Sequence, residues 1–247
     1  MLSVSGLTKT FDQQPVFSGF TLTVTRNRFI VLIGPSGCGK STFFDVLTGV
    51  SPADEGLISW RGSDVDHLGD LAAYMHQKDL LLPWFSLLEN SLLPARTGGE
   101  DLKQARQRAI QLFSRLGLDG YEKHLPHQVS GGMRQRCALV RTLMFNRDLV
   151  LLDEPLSALD AITRKSLQSL LLLLQSEFNR TLLMITHDVD EALLLADDLY
   201  LLSVKPMRVV EKIELCDDKP RRFDNPELLA IKKTIMQKLE GDIDHVS

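Results

Sequence analysis

Residues 34 to 41 read Gly34-Pro35-Ser36-Gly37-Cys38-Gly39-Lys40-Ser41, followed by Thr42, directly after the apolar run Phe29 to Ile33. A glycine, four free residues and then Gly-Lys-Ser, placed where a buried strand turns into a helix, form a phosphate cradle. Backbone N–H groups surround the anion at the helix N-terminus, Lys40 reaches the β- and γ-oxygens, and the Ser41 hydroxyl is placed for Mg²⁺. The glycines let backbone approach an anion with no Cβ in the way. The chain is therefore expected to bind a nucleoside triphosphate.

A length of 247 residues supports a substantial core, read here as one compact unit with a subdomain. Hydrophobic content of 44% and a formal charge of −4 describe an ordinary globular protein, with no basic excess to drive nucleic-acid binding. The N-terminus lacks the basic and apolar regions of a secretory signal, and no apolar run approaches the ~20 residues of a bilayer span. Any membrane role is expected to come through a partner. Cys38, Cys137 and Cys216 are odd in number and widely spaced, which suits reduced thiols rather than disulfides or a zinc site.

Leu2 to Thr8 and Phe17 to Thr25 alternate apolar and polar residues, as in a half-exposed antiparallel sheet. Continuous apolar runs at Phe29 to Ile33, Leu149 to Leu152 and Leu182 to Ile185 predict strands covered on both faces, the signature of a parallel α/β core. Helical spacing marks Leu102 to Leu116, a stripe from Met133 to Met144, and Ile162 to Phe178; residues 86 to 146 read as a helical insert. Asn225-Pro226 opens a terminal helix over about 226–240, docked on its own domain or on a partner. Lys219-Pro220-Arg221-Arg222 reads as a solvated turn, and His124 and His127 have no third ligand for a metal.

The apolar strand Leu149 to Leu152 ends in Asp153-Glu154, where an open α/β sheet places its ligands. Asp153 is the candidate for the Mg²⁺ shell and Glu154 for polarising an attacking water. Ser130-Gly131-Gly132 starts a helix whose first N–H groups are bare, so its positive end can face a γ-phosphate.

Val129-Ser130-Gly131-Gly132-Met133 resembles the signature motif of ATP-binding cassette (ABC) ATPases, with the Asp153-Glu154 strand, Ser157-Ala158-Leu159-Asp160 and the isolated His187 following in the family's order. The resemblance covers nearly the whole chain. It implies an α/β fold with a P-loop NTPase core, an N-terminal antiparallel β subdomain and a helical subdomain, all in one domain over residues 1–247. It implies ATP and Mg²⁺ as ligands, and a head-to-tail homodimer in which the cradle of one protomer faces the signature of the other. By the same resemblance Phe11 stacks on adenine, Gln77 links Mg²⁺ to a membrane partner, Asp160 lies on the loop crossing the dimer seam, and His187 contacts the γ-phosphate. Met133 departs from the family's usual Gln, and Asn27-Arg28 stands where Gly-Glu is common; Asn tolerates the left-handed turn.

Ser41 and Ser130 are 89 positions apart, too close for the long coiled coil of the superfamily's chromosome-associated members. With one cradle and one signature, the chain reads as the detached motor of an importer at the cytoplasmic face of the membrane. It would act through separate permease subunits that dock on the Gln77 to Asn90 region, and indirectly with a substrate-binding protein. Leu80-Leu81-Leu82-Pro83-Trp84 and the short tail resemble the nitrate, sulfonate and taurine importer ATPases and the relatives handling pyrimidine vitamin precursors. The alternatives are an exporter motor, a nucleic-acid-linked ATPase of the same superfamily, and a P-loop kinase, which would have no use for the signature helix.

Overall fold

The computed structural model describes residues 1–157 and 159–244. The chain begins with strands β1 (Leu2–Phe11), β2 (Gln14–Val24) and β3 (Phe29–Ile33), then helix α1 (Lys40–Thr48). Strands β4 (Glu55–Trp60), β5 (Ser63–Val65) and β6 (Ala72–Met75) follow. Residues 86–146 carry α2 (Leu87–Ser91), α3 (Leu93–Thr97), α4 (Leu102–Arg115) and α5 (Gly131–Met144). The last part is β7 (Leu149–Asp153), α6 (Ala161–Ser176), β8 (Thr181–Thr186), α7 (Val189–Leu195), β9 (Asp198–Leu202), β10 (Val209–Glu214) and α8 (Pro226–Asp244).

Two sheets result. A six-stranded sheet has the order β10-β9-β3-β8-β7-β6, parallel throughout except for the antiparallel edge strand β10. A four-stranded antiparallel sheet has the order β2-β1-β4-β5. Alternate side chains of β3 explain why its sequence is apolar without a break. Phe29, Val31 and Ile33 enter one core with α5, α6 and α7, whereas Ile30 and Leu32 enter a second core with α1 and the antiparallel sheet. In that second core Phe17, Phe20, Phe43, Phe44 and Tyr74 form a chain of tilted and edge-on ring contacts, with centroids 4.9–6.2 Å apart. α1 is thereby held rigidly between the sheets, which fixes the cradle at its N-terminus.

Asn27 carries φ 57°, so the left-handed turn before β3 is present with Asn in place of glycine. The terminal helix docks on its own domain: Leu228 and Ile235 are fully enclosed, and Ile231 and Leu239 pack alongside them.

The reading of Lys219 to Arg222 as a solvated turn is corrected. Arg221 is 6% exposed and donates to the carbonyls of Leu193 (3.1 Å), Ala196 (2.6 Å) and Leu215 (2.9 Å). Those are the unsatisfied carbonyls at the end of α7 and the exit of β10, and the guanidinium fork is shaped to collect them. Lys219 pairs with Asp197 at 2.7 Å.

Asp197 also accepts from the Phe29 N–H (2.7 Å) and from Gln175, fixing the start of β3. Burial pushes its carboxyl up, but Lys219, the Phe29 amide and Gln175 outweigh burial and hold it below the usual carboxylate range. For an acid with a depressed folded pKa, the stabilisation is present above the unfolded value near 4 and is lost as pH falls through the folded value. Asp197→Asn is expected to cost about 1–3 kcal/mol near neutrality. Melting curves between about pH 3 and pH 7 should show the gap from wild type closing toward acid. A gap that stays constant would contradict the charge as its origin.

Candidate functional site

The cradle closes tightly around Gly39. This residue has φ 120°, and a Cβ built on it would lie 2.5 Å from Val16 Cγ1 of β2. Any larger residue would force the loop away from the strand and strain the backbone together. Lys40 is buried; its ammonium donates to the carbonyls of Gly34 and Pro35, each at 2.8 Å, and lies 3.8 Å from the Cys38 sulfur. Burial raises the Cys38 thiol despite the neighbouring Lys40, so this cysteine is a packed side chain rather than a thiolate. Gly39→Ala is expected to weaken binding of a fluorescent ATP analogue at least about tenfold, read by titration. Unchanged affinity would show that the cradle does not need this approach.

β3 delivers the cradle, and β7, two strands away across β8, delivers the carboxylates. Asp153 is 2% exposed, and its Oδ1 is buried without a hydrogen-bond partner. Burial pushes its carboxyl up to about 6, opposed by the Ser41 hydroxyl and reinforced by Glu154 and Asp45. An orphaned buried carboxylate oxygen facing a serine hydroxyl fits a hard divalent cation, for which oxygen ligands are the preferred donors.

Glu154 sits immediately after β7 in the left-handed region, φ 48°. Its N–H donates to the Ile185 carbonyl at 3.0 Å, which locks this conformation. One carboxylate oxygen lies 3.2 Å from His187 Nδ1, and the other accepts from Gln77 Nε2 at 3.2 Å. Residues 77, 154 and 187, far apart in sequence, thus come together in one cluster over the ends of β6, β7 and β8.

Ser130 is the N-cap of α5 and accepts from the Met133 N–H at 3.3 Å. Asp160 caps α6 in the same way, accepting from the N–H groups of Ile162 and Thr163. Among the described residues no hydrogen bond joins Ser130, Gly131 or Gly132 to the cradle. Phe11 is 49% exposed at the tip of the β1–β2 hairpin, with the Lys9 ammonium 5.0 Å from its ring centre. It pairs with Gln14, close in sequence to the Val16 that abuts Gly39, so the hairpin flanks the cradle. Ala158, quoted in the sequence motif, lies outside the described residues. His124 and His127 join no metal cluster, and the described residues contain none.

Four residues whose partners the motifs did not reveal tie this site to the helices. Gln135 Nε2 donates to the Glu154 carbonyl at 3.1 Å, joining α5 to the carboxylate strand. Arg141 donates to the carbonyls of Asp79 and Leu80, both at 2.7 Å, and Arg134 pairs with Asp79 at 2.9 Å. The loop after Gln77 is thereby fastened to α5 along its length. Asn90, fully buried, donates to the carbonyls of Leu82, Phe85 and Ser86, holding a tight loop from which Trp84 projects 68% exposed. The helical positions of Gln135 and Arg141 were readable in sequence, but their partners lie 19 and more residues away.

The sequence profile of the ABC transporter family matches residues 17–157. The formylaminopyrimidine import ATP-binding protein ThiZ of Halalkalibacterium halodurans is 37% identical over 227 residues, covering 92% of this chain and 89% of that protein. The taurine import ATP-binding protein TauB of Escherichia coli K12 is 35% identical over 249 residues, covering 97% of each. Among solved structures, the ATP-binding cassette MJ0796, seen as a dimer in a post-hydrolysis state with ADP and phosphate, superposes with a TM-score of 0.81 at 26% identity. That match covers 88% of this chain and all of the other. With a phosphate cradle at the head of α1, paired carboxylates closing β7 and a serine-capped glycine helix start, the chain belongs to the ABC transporter family, as one of its ATP-binding, ATP-hydrolysing subunits.

Proposed function

We propose that the chain is the motor subunit of an importer, working as a head-to-tail pair beneath separate membrane permease subunits. In this reading each ATP is held by Gly34 to Thr42 of one copy and by Ser130, Gly131 and Gly132 of the other, with Phe11 against the adenine and Asp160 at the seam. The observation that carries it is the Glu154 cluster: a carboxylate that accepts from Gln77 on one oxygen and has His187 Nδ1 3.2 Å from the other, beside the buried Asp153.

Ser41, Asp153 and Gln77 would hold Mg²⁺, which when bound supplies charge neutralisation on the phosphate oxygens. The chain's own groups do the remainder. Glu154 accepts the proton of the attacking water, while His187 orients that carboxylate and meets the γ-phosphate. Lys40 neutralises the β- and γ-oxygens, exchanging the carbonyls of Gly34 and Pro35 for phosphate. Gln77 touches Glu154 and begins the loop fastened to α5, so a permease pressing on residues 77–90 would move the catalytic carboxylate and the signature helix together. None of the described helices is long and apolar enough to cross a membrane, which supports action through a partner. The likeness to taurine and formylaminopyrimidine import proteins supports a small sulfonate or a pyrimidine vitamin precursor as the transported solute, met by a substrate-binding protein rather than by this subunit.

Co-purification from native membranes followed by an uptake panel of nitrate, alkanesulfonates, taurine and formylated pyrimidines tests this reading. Expected is a permease in the complex and ATP-dependent uptake of one of these classes. Recovery without a membrane subunit, with turnover stimulated by DNA at physiological salt, would overturn it.

A further inference from the structure

At the end of the sheet remote from the cradle, α4, α5 and α6 enclose a cavity of about 220 Å³ over the start of β7. Its floor is apolar, made by Leu112, Val150, Leu170 and Leu174, and Phe178 forms an exposed wall. Its polar side carries four arginines, Arg108, Arg115, Arg147 and Arg180, and no carboxylate lines it. This concentration of cations is out of keeping with a chain whose formal charge is −4.

Two of the four are already engaged: Arg108 with Glu100, and Arg180 with Asp148 and Asn146. Arg115 and Arg147 form no ion pair or side-chain hydrogen bond among the described residues, and both are exposed at the mouth. An enclosed apolar floor with unpaired guanidinium groups at its rim suits one chemical class, because apolar surface rewards a ring and the fork geometry of arginine rewards a flat or three-oxygen anion.

We propose that this cavity binds a small amphipathic organic anion, an aryl or branched-alkyl group bearing one sulfonate or carboxylate, and that its occupant slows ATP turnover. The proposal goes beyond the importer reading, since the cavity shares no residue with the nucleotide cluster. The route to the nucleotide site is structural. Thr142, Leu143 and Met144 at the end of α5 line the cavity, and the same helix begins at Ser130, about 20 Å away at 1.5 Å per residue. A ligand bridging α4, α5 and α6 restrains the signature helix against the sheet.

Calorimetric titration with naphthalene-2-sulfonate, in the presence of saturating ATP analogue, tests the site. Naphthalene-2-sulfonamide serves as the neutral counterpart and inorganic sulfate as the charge alone. Expected are saturable binding of the sulfonate, little of either control, and at least about tenfold weaker binding to the double variant R115E/R147E. Both substitutions are at exposed positions, and an unchanged melting temperature confirms that the variant is folded. ATP turnover of the wild type should fall with the sulfonate while KM for ATP stays constant, a response the double variant loses. Competition with the ATP analogue, equal binding of the sulfonamide or of sulfate, or undiminished binding by the double variant would overturn the site. Unchanged turnover at saturating sulfonate would overturn the restraint on α5.

Discussion

Glu154→Gln is expected to lower ATP turnover by about 10²–10⁴-fold while leaving nucleotide affinity nearly unchanged. The size follows from losing the carboxylate proton acceptor of the cluster, and the selectivity follows from geometry. The backbone at position 154 is held by the Ile185 carbonyl on one side and by Gln135 and Ser157 on its own carbonyl, at 3.0–3.1 Å. None of these bonds involves the carboxylate. A glutamine side chain keeps the shape, its oxygen still accepting from Gln77 and its amide able to donate to His187. Single-turnover hydrolysis of labelled ATP, with affinity measured in parallel, reads both quantities. A rate within about tenfold of wild type would move the proton acceptor elsewhere, with His187 the first to examine.

Arg221→Leu is expected to cost about 3–5 kcal/mol, since it leaves three buried backbone carbonyls without a donor and leucine offers none in exchange. For a chain of this length that corresponds to a melting temperature lower by roughly 6–20 °C. The neighbouring Arg222→Leu is the control. Its guanidinium is exposed and meets only the exposed Asp224, so a shift within about 0.5 kcal/mol is expected. Equal, small shifts for the two variants would mean that water replaces Arg221 on those carbonyls at little cost.

The contrast between these adjacent arginines marks where sequence reading stops. Local composition, Lys-Pro-Arg-Arg, is that of an exposed turn, and only the approach of α7 and β10 turns Arg221 inward. The same limit separates the strands. β3, β7 and β8 were legible because burial on both faces demands an unbroken apolar run. β9 opens with Asp198, which is tolerated in the sheet because Arg28, just before β3, and Lys212 of β10 reach it, partners that no local window contains. β6 is short and begins with two alanines, too small to signal a strand, and β10 alternates as an edge strand does. At the site, contiguous motifs were legible because anion binding by backbone requires glycine and a capping hydroxyl in fixed order. The threads from α5 to Glu154 and to the loop after Gln77 run between residues whose spacing carries no pattern.

In the proposed head-to-tail pair, a triphosphate in the cradle of one copy is closed off by the Ser130 helix of the other. Light scattering on the Glu154→Gln protein with saturating Mg-ATP measures whether this happens. A mass twice the 27.7 kDa of one chain, reverting to one chain when ATP is removed or when Ser130→Arg is added, is the expected result. A single-chain mass with ATP demonstrably bound would contradict it.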